Sequence, residues 1–147
     1  EPLTLNMDTL KRIKKRFNLS NIKEFQVAVG DKPGTLEMVM PVINNVPMHG
    51  LSHVIHEDNK DFNYGMKYKV PVICLDSFTE INQPGKRITA MKMDVENFEY
   101  FVLKGAERLI TENQPVIYCE LWENENRKKC IDFLNNLKYS AFILHKD

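Results

Sequence analysis

The sequence predicts an α/β domain on a mostly parallel sheet, and three observations carry that expectation. Apolar strand-like runs alternate with amphipathic helical stretches from Val70 onward, the pattern of successive βα units. The run Met91-Lys92-Met93-Asp94-Val95-Glu96-Asn97 delivers acidic side chains to the end of an apolar strand just before a helix, at the edge where open α/β sheets bind ligands. A length of 147 residues, with 43% hydrophobic and 27% charged side chains, suffices for one domain with its own core.

The elements follow in order. Met7, Leu10, Ile13 and Phe17 recur at helical spacing, so a first helix is expected from near Asn6 to Phe17. Phe25 to Val29 reads as a short strand, and Gly30-Asp31-Lys32-Pro33-Gly34 as a turn, since it combines free φ, a carboxylate acceptor and a fixed proline. Thr35 to Met40 reads as a further strand, which Pro41 ends or confines to an edge. Residues 41 to 69 are the least regular and hold His49, His53 and His56; a functional loop over a cleft and a surface decoration both fit them.

Val70 to Leu75 is a strand that Pro71 places at an edge. Asp76 is expected to cap a short helix from Ser77 to Ile81. Ile88 to Val95 is a strand, and Phe98 to Ile110 a helix burying Phe98, Val102, Ala106, Leu109 and Ile110. Asn97 suits the cap of that helix. Pro115 to Leu121 is the next strand, Asn126 to Leu137 a helix with Cys130, Ile131, Leu134 and Leu137 inward, and Tyr139 to Leu144 a final strand.

Composition excludes some functions. Twenty basic residues balance twenty acidic ones, which leaves no global field for nucleic acid or an anionic membrane. Lys11, Arg12, Lys14, Lys15 and Arg16 flank the apolar stripe of the first helix and read as its solvated face. No apolar run reaches membrane-spanning length. Cys74, Cys119 and Cys130 are odd in number and widely spaced, unlike a zinc site, and read as reduced thiols in a reducing compartment, the cytoplasm. The histidines match no metal-binding spacing and read as loop or surface residues, so no metal is expected.

The chemistry is expected in the carboxylates. Period-two geometry puts Lys92, Asp94 and Glu96 on one side of an extended segment, and Glu120 ends the neighbouring strand in the same way. Such groups accept hydrogen bonds from ligand hydroxyls, attract a cation, or take a proton where their pKa is raised. Loop organisation without ligand contact is the other reading. Glu1 is followed by Pro2 and a helix, and Asp31 follows an apolar strand, so each has a structural reading and a ligand-binding one.

Several ordered blocks resemble the FkbM family of S-adenosylmethionine-dependent methyltransferases. They are Glu1-Pro2 before a long helix, Val27-Ala28-Val29-Gly30-Asp31, Leu75-Asp76-Ser77-Phe78, the signature from Lys92 to Glu99, Val102 to Ala106, and the proline-led strand Pro115 to Glu120. The resemblance implies a partial Rossmann-like class I methyltransferase domain that uses S-adenosylmethionine, acting on an oxygen of a sugar or small metabolite. It implies that Glu1 binds ribose and Asp31 lies near adenine. It also implies that Asp94 serves both cofactor and catalysis, that Glu96 and Glu120 are catalytic, and that Gly50 and Ser52 fall in a substrate-proximal segment.

Two departures accompany the resemblance. Asn97 stands where the family signature has glycine, and its side chain is expected to crowd the cleft. The family's first strands and glycine-rich cofactor turn have no counterpart among the six glycines. An upstream portion or another chain is therefore expected to complete the sheet, and the isolated 147-residue chain to bind cofactor poorly. A noncatalytic binding or assembly module derived from the same fold is the alternative reading.

Overall fold

Two sheets, joined by side chains, make up the architecture. The computed structural model describes residues 1–56 and 64–143. Helix α1 (Thr4–Arg16) is followed by strands β1 (Ala28–Val29), β2 (Gly34–Ile43), β3 (Val46–Pro47), β4 (His53–Val54) and β5 (Gly65–Ile73). These strands form one sheet in the order β1-β5-β2-β3, with β4 also pairing to β2. Strand β6 (Ala90–Met93), helices α2 (Glu99–Lys104) and α3 (Glu107–Asn113), strand β7 (Val116–Cys119) and helix α4 (Glu125–Asn136) complete the chain. β6 and β7 pair in parallel as a second sheet, Ala90 opposite Val116 through Met93 opposite Cys119.

The first sheet corrects the expectation of a mostly parallel arrangement. Its longest pairing, β2 with β5, is antiparallel from Gly34–Val72 to Pro41–Gly65, and β3 and β4 are also antiparallel to β2. Among the described residues only β1 joins in parallel, through Ala28–Val72 and Val29–Ile73. The cause lies in residues 41 to 69, which are more regular than expected. Asn44 and Asn45 adopt left-handed φ of 51° and 62°, the backbone of a two-residue hairpin turn, and Ile43 pairs with Val46 across it. A single 3-10 turn, His49–Leu51, leads into β4. Residues 57 to 63 of that stretch lie outside the described chain.

Both prolines sit inside strands. Pro41 does not end β2; it is buried opposite Gly65, and its carbonyl accepts the Met48 N–H at 2.8 Å. Pro71 does not put β5 at an edge. β1 joins β5 only from Val72 onward, so Pro71 precedes the stretch with neighbours on both sides, where a missing N–H costs most. Tyr139 to Ile143 form no strand, and Leu144 lies outside the described residues. Along α1 only Met7 of the apolar stripe is fully buried; Ile13 and Phe17 are 45% and 69% exposed.

The expected helix from Phe98 to Ile110 is two helices, broken at Gly105-Ala106. The Gly105 carbonyl accepts from the Asp76 N–H at 2.9 Å and the Cys74 thiol at 3.1 Å, so it is diverted from the helix ladder. Asp76 does not cap a helix of its own. Its carboxylate accepts the N–H groups of Leu109 at 2.8 Å and Arg108 at 2.9 Å, capping α3 from 32 residues away. The buried residues expected of the segment nonetheless hold: Phe98, Val102, Ala106, Leu109 and Ile110 are all within 5% exposure. They belong to one core that also contains Ala28, Val70 and Val72 of the first sheet and Cys130 of α4.

At Gly105 the two halves approach within backbone contact. A Cβ there would lie 2.0 Å from the Gly30 carbonyl oxygen and 3.1 Å from the Asp31 Cα, both backbone atoms that cannot swing aside. Gly105→Ala should therefore destabilise the chain by about 3 kcal/mol or prevent folding. Gly50→Ala, whose Cβ meets nothing within 4 Å, should change stability by less than about 0.5 kcal/mol. Urea unfolding of the two variants checks the contrast.

Candidate functional site

Parallel register sets the geometry of the site. Met93 pairs with Cys119, so the residues that follow, Asp94 and Glu120, leave the sheet at the same end, and the Glu120 N–H reaches the Met93 carbonyl at 3.3 Å. Beyond Asp94 the chain turns sharply. Glu96 and Asn97 both have positive φ, 51° and 70°, a conformation that costs an ordinary side chain about 1–2 kcal/mol and that asparagine tolerates better. The two left-handed residues lead the chain from β6 into α2.

A cleft of about 380 Å³ opens beside this turn, a size suited to a small ligand. Glu1, Asp94 and Glu96 line it together with Asn6, His49 and Ser52, and Gly50 also contributes. A second cleft, of about 480 Å³, adjoins it across Val54 and Phe98, which line both. Asp31 borders this second cleft with Lys32, His56 and Phe101, and its carboxylate is paired with Lys104 at 3.1 Å. Glu120 lines neither cleft; it stands exposed at the sheet end, where its charge acts on Glu96 and Lys92.

The carboxyl groups differ in what holds them. Glu1 accepts the Leu3 N–H at 2.8 Å, an organising bond at the start of α1. Asp94 is paired with Lys92 at 2.8 Å, as their shared side of the strand anticipates, and that bond raises the lysine pKa. Burial pushes the Glu96 carboxyl above its ordinary value of 4.5, and the negative charges of Asp94, Glu120 and Glu99 push it further; His53 opposes them. Glu99 is also raised, first by burial, against the N–H groups of Glu99, Val95 and Asn97, which favour its charged form.

Asn97 does not cap α2 and is absent from the lining of the first cleft. The residue before α2 is Phe98, with no side-chain cap. The Asn97 side chain turns inward, 2% exposed, where its Oδ1 accepts from Asn124 Nδ2 at 2.9 Å and Asn126 Nδ2 at 3.2 Å. Asn124 in turn caps α4 through the N–H groups of Asn126 and Arg127. The expected crowding of the cleft by Asn97 is thus replaced by a buried amide cluster. His53, expected in a loop or on the surface, sits on β4 at 3% exposure, with Nδ1 at 2.9 Å from the Leu51 carbonyl oxygen.

Comparison with known proteins completes the picture. Residues 1–141 match the family model of the methyltransferase FkbM domain. The chain belongs to the FkbM methyltransferase family. No curated protein and no solved structure was found to match it. The family match spans Glu1, Asp31, Asp94, Glu96 and Glu120 alike, so both clefts are part of the FkbM domain. No helix among the described residues is long and apolar enough to cross a membrane.

The raised carboxyl groups make stability depend on pH. Folding lifts Glu96 and Glu99 above 4.5, so the folded chain retains protons that the unfolded chain releases. Their contribution to stability falls as pH climbs from the ordinary carboxylate value through the folded-state values, then levels. Glu99→Gln removes one of the two contributions. Thermal melts at about pH 4 and about pH 7 should show the wild-type midpoint falling relative to that of the variant as pH rises.

Proposed function

We propose that this FkbM domain serves an S-adenosylmethionine-dependent transfer of a methyl group to an oxygen of a sugar or small metabolite. The observation that carries this reading is the meeting of Glu1, Asp94 and Glu96 in one cleft at the end of the parallel strand β6. Acidic groups suit a ligand that combines hydroxyls with a positive centre. In this reading Glu1 accepts from ribose hydroxyls. Asp31, in the adjoining cleft, would face the adenine, while Lys104 anchors its Oδ2.

S-adenosylmethionine, when bound, supplies a methyl group already activated by its sulfonium. The protein's part is then alignment and proton removal. Asp94 contributes negative charge beside the positive centre. Glu96, with its carboxyl raised above the ordinary value, is the group this reading has take the proton from an acceptor hydroxyl. Glu120 adds negative charge from the exposed side. The reducing cytoplasm is the compartment this reading assumes, in keeping with three free cysteines among the described residues.

A noncatalytic module is the second reading, and it has a specific observation in its favour. β7 leaves Val116 and Tyr118 74% and 54% exposed, an apolar face suited to a neighbouring chain segment.

Calorimetry with S-adenosylhomocysteine on the full-length protein separates the two. The methyltransferase reading expects saturable binding, weakened about tenfold or more by Asp94→Ala, equivalent to about 1.4 kcal/mol. A folded full-length protein that binds no S-adenosylhomocysteine would leave only the noncatalytic module.

A further inference from the structure

Glu96 owes its place in the cleft to its backbone. Its carboxyl makes no hydrogen bond among the described residues, and its φ of 51° is one that a glutamate leaves readily unless its surroundings forbid it. The residues that forbid it are amides. Asn126 Nδ2 donates to the Asn97 carbonyl oxygen at 3.0 Å, to Asn97 Oδ1 at 3.2 Å and towards Glu99 Oε2 at 3.4 Å. Glu99 Oε1 closes the ring by accepting from Val95 N at 3.4 Å. Every link therefore touches a residue on one side or the other of Glu96.

The far end of the cluster is the start of a helix. Asn126 lies in the first turn of α4, and Asn124 Oδ1 binds the N–H groups of Asn126 at 3.0 Å and Arg127 at 3.3 Å. Asn97, Glu99 and Asn126 are each at most 3% exposed, so water does not compete for these bonds. Stability alone does not account for the arrangement. Asn126 Oδ1 is buried without a hydrogen-bond partner among the described residues, and such an orphan acceptor costs about 1–3 kcal/mol that an apolar side chain would avoid.

We propose that Asn97 and Asn126 are positioning residues that hold the Glu96 carboxyl in the methyl-transfer cleft, with α4 as their anchor. This rests on the methyltransferase reading for what Glu96 does, but not for how it is held. Asn126 fixes the Asn97 carbonyl and so the left-handed pair. Asn97 adds a second acceptor and tolerates a backbone that most residues resist.

The test follows the Glu96 side-chain carboxyl by carbon NMR through a pH titration of the isotope-labelled 147-residue chain, comparing wild type, Asn126→Ala and Asn97→Gly. The groups acting on Glu96 are Asp94 after β6, Glu120 after β7, Glu99 of α2 and His53 of β4; none is altered. In wild type Glu96 should titrate above the ordinary carboxylate value. In Asn126→Ala it should move back towards that value as the turn relaxes into solvent. Asn97→Gly should show a smaller move, because a glycine there keeps the backbone carbonyl that Asn126 binds. Should Asn126→Ala fail to fold, Asn97→Gly decides alone.

Folded variants in which Glu96 titrates as in wild type would overturn the proposal, whatever their ligand affinity. S-adenosylhomocysteine calorimetry on the full-length protein is the second readout, with affinity expected to fall up to about tenfold in Asn126→Ala. A shifted titration with unchanged affinity still supports the hold and confines it to the acceptor side. Wild type that binds no S-adenosylhomocysteine defeats the methyltransferase reading, while the titration continues to decide the hold.

Discussion

The near-contact of Gly105 with the Gly30 carbonyl is the constraint on which the arrangement depends. The two sheets share no strand, and their cohesion comes from a core in which Phe98, Val102 and Leu103 meet Ala28, Val70 and Val72. That packing is possible only because the end of α2 comes within backbone distance of the turn after β1. The same residue breaks the helix, since its carbonyl is committed to Asp76 and Cys74. Asp76 then starts α3 afresh. One glycine thus both lets the two halves meet at backbone distance and marks the break between α2 and α3.

Within that frame the site combines two kinds of acidic group. Asp94 and Glu120 end adjacent parallel strands and stay exposed, with Lys92 offsetting Asp94. Glu96 and Glu99 are drawn inward and kept from ionising easily by burial. The left-handed turn at Glu96-Asn97 is what places residues two apart in sequence, Asp94 and Glu96, in such different surroundings, and the buried amides are what sustain that turn.

Much of this was legible in the chain. Helical spacing identified α1, α4 and the buried side of α2–α3, and the apolar runs located β6 and β7. The carboxylates at the strand ends followed from period-two geometry and the position of the next helix. Other features needed tertiary contacts. A proline reads as a strand breaker, yet Pro41 and Pro71 sit where the pairing pattern spares their missing N–H. Asp76 looked like a local cap because its true partners, Arg108 and Leu109, are distant in sequence. The Asn44-Asn45 pair between Ile43 and Val46 carried a hairpin signal, which Pro41 and Pro47 on either side obscured. The amide cluster was hardest to foresee: Asn126 was read only as the start of a helix, and nothing in the spacing tied Asn124 or Asn126 to Asn97, 27 and 29 residues earlier.

Cys130 sits on the inner face of α4 with no exposed surface, and burial holds its thiol protonated up to about 12. A thiol of that kind is closed to alkylating reagents while the domain stays shut, since the thiolate is the reactive form. Its modification therefore requires that α4 lift away from α2 and the core they share, an opening of the interior. The chain carries in this one sulfur atom a chemical clock for its own unfolding.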